Sequence, residues 1–131
     1  MLRCGDTFLL PKSAYEVEHL WIVITDPEPD SNKAVCVNIT SRNSFSETTV
    51  ILKKGDHPFI KHESVINYAD ARELDLGKVY EVLNTPTRQR FAFGICDPCS
   101  PELLRRIQDG LLVSRYVKKG LKEYCKGKWA N

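Results

Sequence analysis

The feature that most narrows the fold is a series of short β-prone runs, each ended by turn-forming residues. HLWIVIT (19–25), AVCVNIT (34–40), TTVILK (48–53) and SVINYAD (64–70) are rich in β-branched, aromatic and aliphatic residues. Such residues fit a pleated, partly buried surface. DTFLLP (6–11) and KVYEVLNT (78–85) extend the series at either end. HLWIVIT is too short and too continuous for an amphipathic helix. Between the runs lie DPEPDSNK (26–33), SRNSFSE (41–47) and KGDHP (54–58), whose Pro, Gly, Asn, Asp and Ser suit tight reversals. Strands at about ten-residue spacing predict a small antiparallel barrel or sandwich, not a parallel βαβ sheet. With 131 residues, the chain has room for one core and reads as a single domain, 1–131.

The last third changes period. Ser100-Pro101-Glu102 starts a helix with a capping hydroxyl, a proline in the first turn and an acid near the positive end of the dipole. Leu103, Leu104, Ile107, Leu111, Ser114, Val117, Leu121 and Tyr124 follow at steps of three and four, which gives one apolar face to lie on the sheet. The spacing predicts a helix over about 101–118, a break at Gly120 and a basic extension over 119–131. Gly110 and Gly120 each weaken a helix by ~1 kcal/mol relative to Ala. The expected class is therefore mostly β, α+β: a small β-barrel with a C-terminal helix.

Composition removes several functions. Hydrophobic residues make 42% and charged residues 27%, a balance that argues against disorder. No apolar run approaches the ~20 residues that span a bilayer, so no membrane partner is expected. The opening MLRCGDTFLLPK lacks the long apolar core and small-residue cleavage site of a secretion signal, and a cytoplasmic location follows as an expectation. The five cysteines, Cys4, Cys36, Cys96, Cys99 and Cys125, then read as reduced thiols. Cys96-Asp97-Pro98-Cys99 is a lone C-x-x-C. A structural zinc site wants four ligands, which Cys4, His62 or Cys125 would have to supply from afar. Cys99, just before a helix, is placed for a lowered thiol pKa. No cofactor motif is present: neither a P-loop nor G-x-G-x-x-G nor G-x-S-x-G occurs. The net charge of +2 hides a tail, 115–131, that carries +5. It fits an acidic partner or a phosphate backbone, or simply a solvated helix face.

The polar ends of the strands hold the chemistry. GDHPFIKHES (55–64) contains His57 and His62, two of the three histidines, beside Lys61 and Ser64. His19 stands just before the second strand; Thr40 and Ser41 close the third. In a small antiparallel barrel these ends can converge on one rim. Imidazoles there would exchange protons near neutral pH, while lysine and hydroxyl groups would hold a phosphate and the charge that builds on it. Histidines that merely serve the fold or face solvent are the alternative.

In order and type, these segments resemble the MazF/PemK-like toxins of bacterial toxin–antitoxin pairs. The resemblance runs through Cys4-Gly5-Asp6-Thr7-Phe8, HLWIVITD, AVCVNITS, HESVINYADARELD and SPELLRRIQDGLL, nearly the whole chain. It implies an SH3-like barrel, usually a homodimer, and a metal-independent endoribonuclease restrained by a small acidic antitoxin. In that family the 2′-hydroxyl of RNA attacks the adjacent phosphate, giving 2′,3′-cyclic phosphate and 5′-hydroxyl ends. Of the family's catalytic Arg and Thr, Thr40 matches the second. His19-Leu20 replaces the Arg-Pro that carries the first. A guanidinium grips phosphate in a fork and stays charged, whereas imidazole titrates. The replacement implies either a silenced binding module for nucleic acid or protein, or an enzyme using His19, His62 and Thr40. Ser41, Lys61, His57, Ser64 and Arg72 would then bind substrate, Arg72 matching the Arg of the family's Q-I-R segment.

Overall fold

A computed structural model describes residues 1–11, 18–84 and 94–130. Its elements are β1 (Thr7–Pro11), β2 (Glu18–Val23), β3 (Lys33–Ser41), β4 (Ile51–Leu52), β5 (Ser64–Asp75), α1 (Leu76–Leu83), β6 (Ile95–Cys96), α2 (Pro101–Val113) and α3 (Lys119–Trp129). The strands form one curled antiparallel sheet in the order β4-β5-β3-β2-β1-β6. The class is mostly β with helices that close the C-terminal third, as the strand spacing and the Ser-Pro-Glu start lead one to expect.

From Leu20 onward β2 is continuously apolar because both faces of the sheet are covered. Leu20, Ile22 and Ile24 point into one core with Val35, Val37, Ile39 and the helices α2 and α3. Trp21 and Val23 point the other way, toward Phe8, Cys36 and Leu76, Val79 and Leu83 of α1. The curl is built into β5. It pairs Val65 with Thr40 and Asn67 with Asn38, then shifts register so that Arg72 faces Cys36. Extra residues in one strand bend it and increase its twist. The 12-residue β5 can thereby follow β3 along its length while its first residues also hold β4.

Tyr68 lies in that irregular stretch, fully buried, and its hydroxyl donates to the Ile107 carbonyl of α2 at 2.7 Å. This contact explains Gly110. A Cβ at Gly110 would sit 2.2 Å from the Tyr68 hydroxyl and 2.5 Å from Val50 Cγ2. The loss of helix propensity is what lets α2 approach the sheet.

Three element assignments depart from the sequence reading. KVYEVL is helical, not a strand (Thr85 lies outside the described residues). Asp75 caps it, accepting from the Gly77 and Lys78 amides, and Leu76, Val79 and Leu83 bury one face. The 48–53 run keeps strand geometry only at Ile51–Leu52. The C-terminal helix ends at Val113, not near residue 118, and the break precedes Gly120, which lies inside α3. Ser114 donates its hydroxyl to Glu47 Oε2 at 2.6 Å and its carbonyl accepts from Lys122 Nζ at 2.7 Å. These tertiary bonds stop a helix whose apolar period runs on past it. The basic tail restarts as α3, with Cys125 buried and Trp129 partly buried against the main core.

Candidate functional site

β2 and β3 are antiparallel, so the start of one lies beside the end of the other. Trp21 pairs with Asn38, and that register run on by two residues sets His19 next to Thr40. β5 begins at the same end, Ser64 opposite Ser41. The connection from β4 to β5, residues 53–63, crosses this end of the sheet. Together they enclose a cleft of about 770 Å³, lined by His19, Thr40, Ser41, His57, Lys61, His62 and Ser64. Phe59, Glu18 and Asp97 also line it. Seven of the eight site residues named from sequence thus meet in one place. Arg72 does not line it: its guanidinium pairs with Asp70 at 2.5 Å and stacks 5.4 Å from the Trp21 ring centroid.

The three histidines differ in what the fold leaves them. His57 is 4% exposed. Its Nδ1 accepts from the Phe59 amide at 3.1 Å. An amide can only donate, so the ring proton sits on Nε2, which donates to the Asp97 carbonyl at 2.6 Å. That carbonyl also accepts the Thr7 hydroxyl at 2.7 Å. Both nitrogens of His57 are therefore used within the fold: the ring ties the GDHPF turn to the segment before α2 and holds the loop that carries Lys61 and His62. His19 is half-buried, with Nδ1 3.2 Å from the Ile39 carbonyl. A carbonyl only accepts, so Nδ1 carries a proton, and in the neutral ring Nε2 is then the nitrogen with the lone pair. His62 is exposed, and its Nε2 shares a 2.7 Å hydrogen bond with Ser41 Oγ. Ser64 Oγ donates to the His62 carbonyl at 3.0 Å, which fixes the loop rather than the ring.

The charge balance of the loop is one-sided. Its acids are already matched: Asp56 lies 3.6 Å from Arg106 and Glu63 pairs with Arg42. Lys53, Lys54 and Lys61 have no ion-pair partner among the described residues. Of these lysines, Lys61 stands in the cleft wall, which Glu18 and Asp97 also line, so an anion there would be held by Lys61 with the neighbouring Thr40 and Ser41 hydroxyls.

Burial raises the thiol pKa of all five cysteines. Burial, with Cys4 nearby, pushes the Cys99 thiol up to about 11. The lowering expected from the start of α2 is overridden by desolvation. Cys4 also rises to about 11, through burial and then Asp26 and Asp6. Among the described residues, no three His, Cys, Asp or Glu side chains are grouped to hold a metal ion.

Sequence reasoning passed over Phe59 and Glu18. Phe59 stood in view inside GDHPFIKHES, but its partial exposure depends on the turn that His57 pins. Glu18 directly precedes His19, and only the strand register shows that it reaches the cleft. No family model matches the chain, and no curated protein matches it.

Proposed function

We propose that the protein is a metal-independent endoribonuclease of the MazF/PemK toxin kind, with histidines doing the proton transfers. The observation that carries this reading is the convergence of His19, Thr40 and His62, remote in sequence, on one cleft that Lys61 also lines. The curled sheet under its helices is then read as an SH3-like barrel. A cytoplasmic homodimer restrained by a small acidic antitoxin belongs to the same reading.

In the proposed reaction, His19 Nε2 takes the proton of a ribose 2′-hydroxyl. The 2′-oxygen forms a bond to the adjacent phosphorus while the bond from phosphorus to O5′ breaks. His62, protonated, gives its proton to O5′. Products are a 2′,3′-cyclic phosphate and a 5′-hydroxyl, and the protons balance between the two imidazoles. The Thr40 hydroxyl and Lys61 ammonium hold the phosphoryl oxygens as charge builds there. Ser41 orients the His62 ring and is the first hydrogen-bond partner that the substrate displaces.

The test is incubation with single-stranded RNA in the presence of EDTA, with end-group analysis of the fragments. Cyclic phosphate ends, lost in His19→Ala and in His62→Ala, are expected. Undiminished cleavage by both variants would sink the mechanism. The second reading is a binding module without catalysis. It is favoured by the Ser41–His62 hydrogen bond, which occupies the nitrogen that a proton transfer needs. It predicts salt-sensitive RNA binding with no cyclic phosphate product.

A further inference from the structure

We infer that Phe59 and Phe45 are base-stacking subsites on the two sides of Thr40, so that the site takes a single-stranded oligonucleotide with one base seated on each flank; this rests on the nucleic-acid reading above. Thr40 borders two hollows. One is the cleft, with Phe59 in its wall. The other is a smaller hollow of about 210 Å³ lined by Thr40, Asn43 and Phe45. A groove through Arg42 and His62 joins them round the other side, sharing Asn43 with the second hollow and His62 with the first.

Phe45 is 96% exposed and Phe59 41%. A single apolar side chain in water is ordinary. Here, however, the loop that carries Phe45 is tied down. Asn43 Oδ1 accepts the Phe45 amide at 2.8 Å, the Asn43 amide donates to Ser46 Oγ at 2.8 Å, and the Ser46 amide donates to the Asn43 carbonyl at 3.2 Å. These bonds fix the backbone from which the exposed ring projects. Phe59 is held just as firmly, its amide bound to the buried His57 ring. Two exposed aromatic rings on tied-down backbone, with Lys61 in the wall of the cleft, offer the pairing that single-stranded nucleic acid needs. Cations track the backbone while every base offers a π-face to stack. A duplex keeps its bases stacked on each other and offers neither ring a face.

The test uses full-length protein and a mixed-sequence single-stranded oligoribonucleotide, 2′-O-methylated throughout so that it cannot be cut, followed by fluorescence anisotropy. Phe59→Leu and Phe45→Leu are each expected to weaken binding by roughly 5- to 150-fold. Phe59→Tyr and Phe45→Tyr should stay within about threefold of wild type, with unchanged melting. Oligonucleotides carrying 2-aminopurine should lose fluorescence on binding wild type and regain it with the Leu variants. Binding by the Leu variants equal to wild type, or equal loss in Leu and Tyr variants, overturns the stacking subsites while leaving the nuclease reading intact. Failure of wild type to bind or cut any RNA overturns that reading, and the subsites with it.

Discussion

The two ends of the sheet are finished differently. At the end where β2 leaves and β3 begins, polar groups are paired off. Thr25 Oγ1 accepts the Val35 amide at 2.9 Å. The Ile24 carbonyl accepts from Gln108 Nε2 at 3.0 Å and Trp129 Nε1 at 3.1 Å. Glu28 accepts from the Tyr124 hydroxyl and pairs with Lys128 at 3.1 Å. At the other end, the Thr40 hydroxyl, the Lys61 ammonium and His19 Nε2 have no side-chain partner among the described residues. Side chains of α2 and α3 close the first end; only loops close the second. Folded chains pair most of their buried polar groups. Where unmatched ones collect around a cavity instead, binding is the natural use for them.

Substitutions sort along this contrast. On the proposed nuclease reading the largest effect belongs to the cleft: His62→Ala is expected to lower RNA cleavage by about 10²- to 10⁴-fold, the usual worth of general acid catalysis. Because the ring is exposed, thermal melting should stay within about 1 °C of wild type, read by circular dichroism. A comparable loss of fold stability would erase the distinction between the two ends. Trp129→Ala, at the closed end, should do the reverse. It removes partly buried packing and the bond to Ile24, costing about 2 kcal/mol. Denaturant unfolding should register that loss while cleavage per folded molecule is unchanged.

His57 crosses the boundary. It stands at the open end but is finished like the closed one, with both nitrogens paired. His57→Ala leaves the Phe59 amide without a partner and should cost about 1–3 kcal/mol. It should also weaken RNA binding, because the loop bearing Lys61 and His62 is released. A stability loss with unaltered binding would show that the loop holds its shape without this tie.

How far these features could be read from residue order varies with the range of the cause. HLWIVIT declared a strand, and Ser100-Pro101-Glu102 a helix start, because both signals are local. The Ser100 hydroxyl indeed accepts the Leu103 amide. KVYEVL misled because Val and Tyr favour strands. Asp75, as a capping acid ahead of Leu76, Val79 and Leu83, was the signal that outweighed them. The end of α2 at Ser114 was not legible, since it depends on Glu47, 67 residues away. The cleft was legible as polar strand ends expected to converge. The split among its histidines was not, because it depends on which carbonyl or amide each ring meets after folding.

The smallest expected effect lies at the closed end. The Tyr124 hydroxyl, then Lys128, lower the Glu28 pKa from its ordinary value. A carboxyl depressed in the folded chain adds stability above its unfolded pKa and loses it as pH falls through the folded one. The melting advantage of wild type over Tyr124→Phe should therefore be present at neutral pH and shrink below about pH 4. An advantage that persisted into stronger acid would mean that the hydroxyl acts through packing instead of through the carboxylate.

Double-sided burial of β2 has a cost for alignment during folding. In a sheet with one wet face, a one-residue slip strands every apolar side chain in water and is rejected at once. Here a slip would exchange Leu20 and Ile22 for Trp21 and Val23 between two oily compartments, with little exposed by the error. Correct threading must then be proofread by sparse polar pegs, chiefly the buried Asn38 amide, which donates to Asp70 Oδ2 at 2.9 Å, and Thr25. Replacing those pegs with aliphatic residues would leave the oil in place and remove the checkpoint.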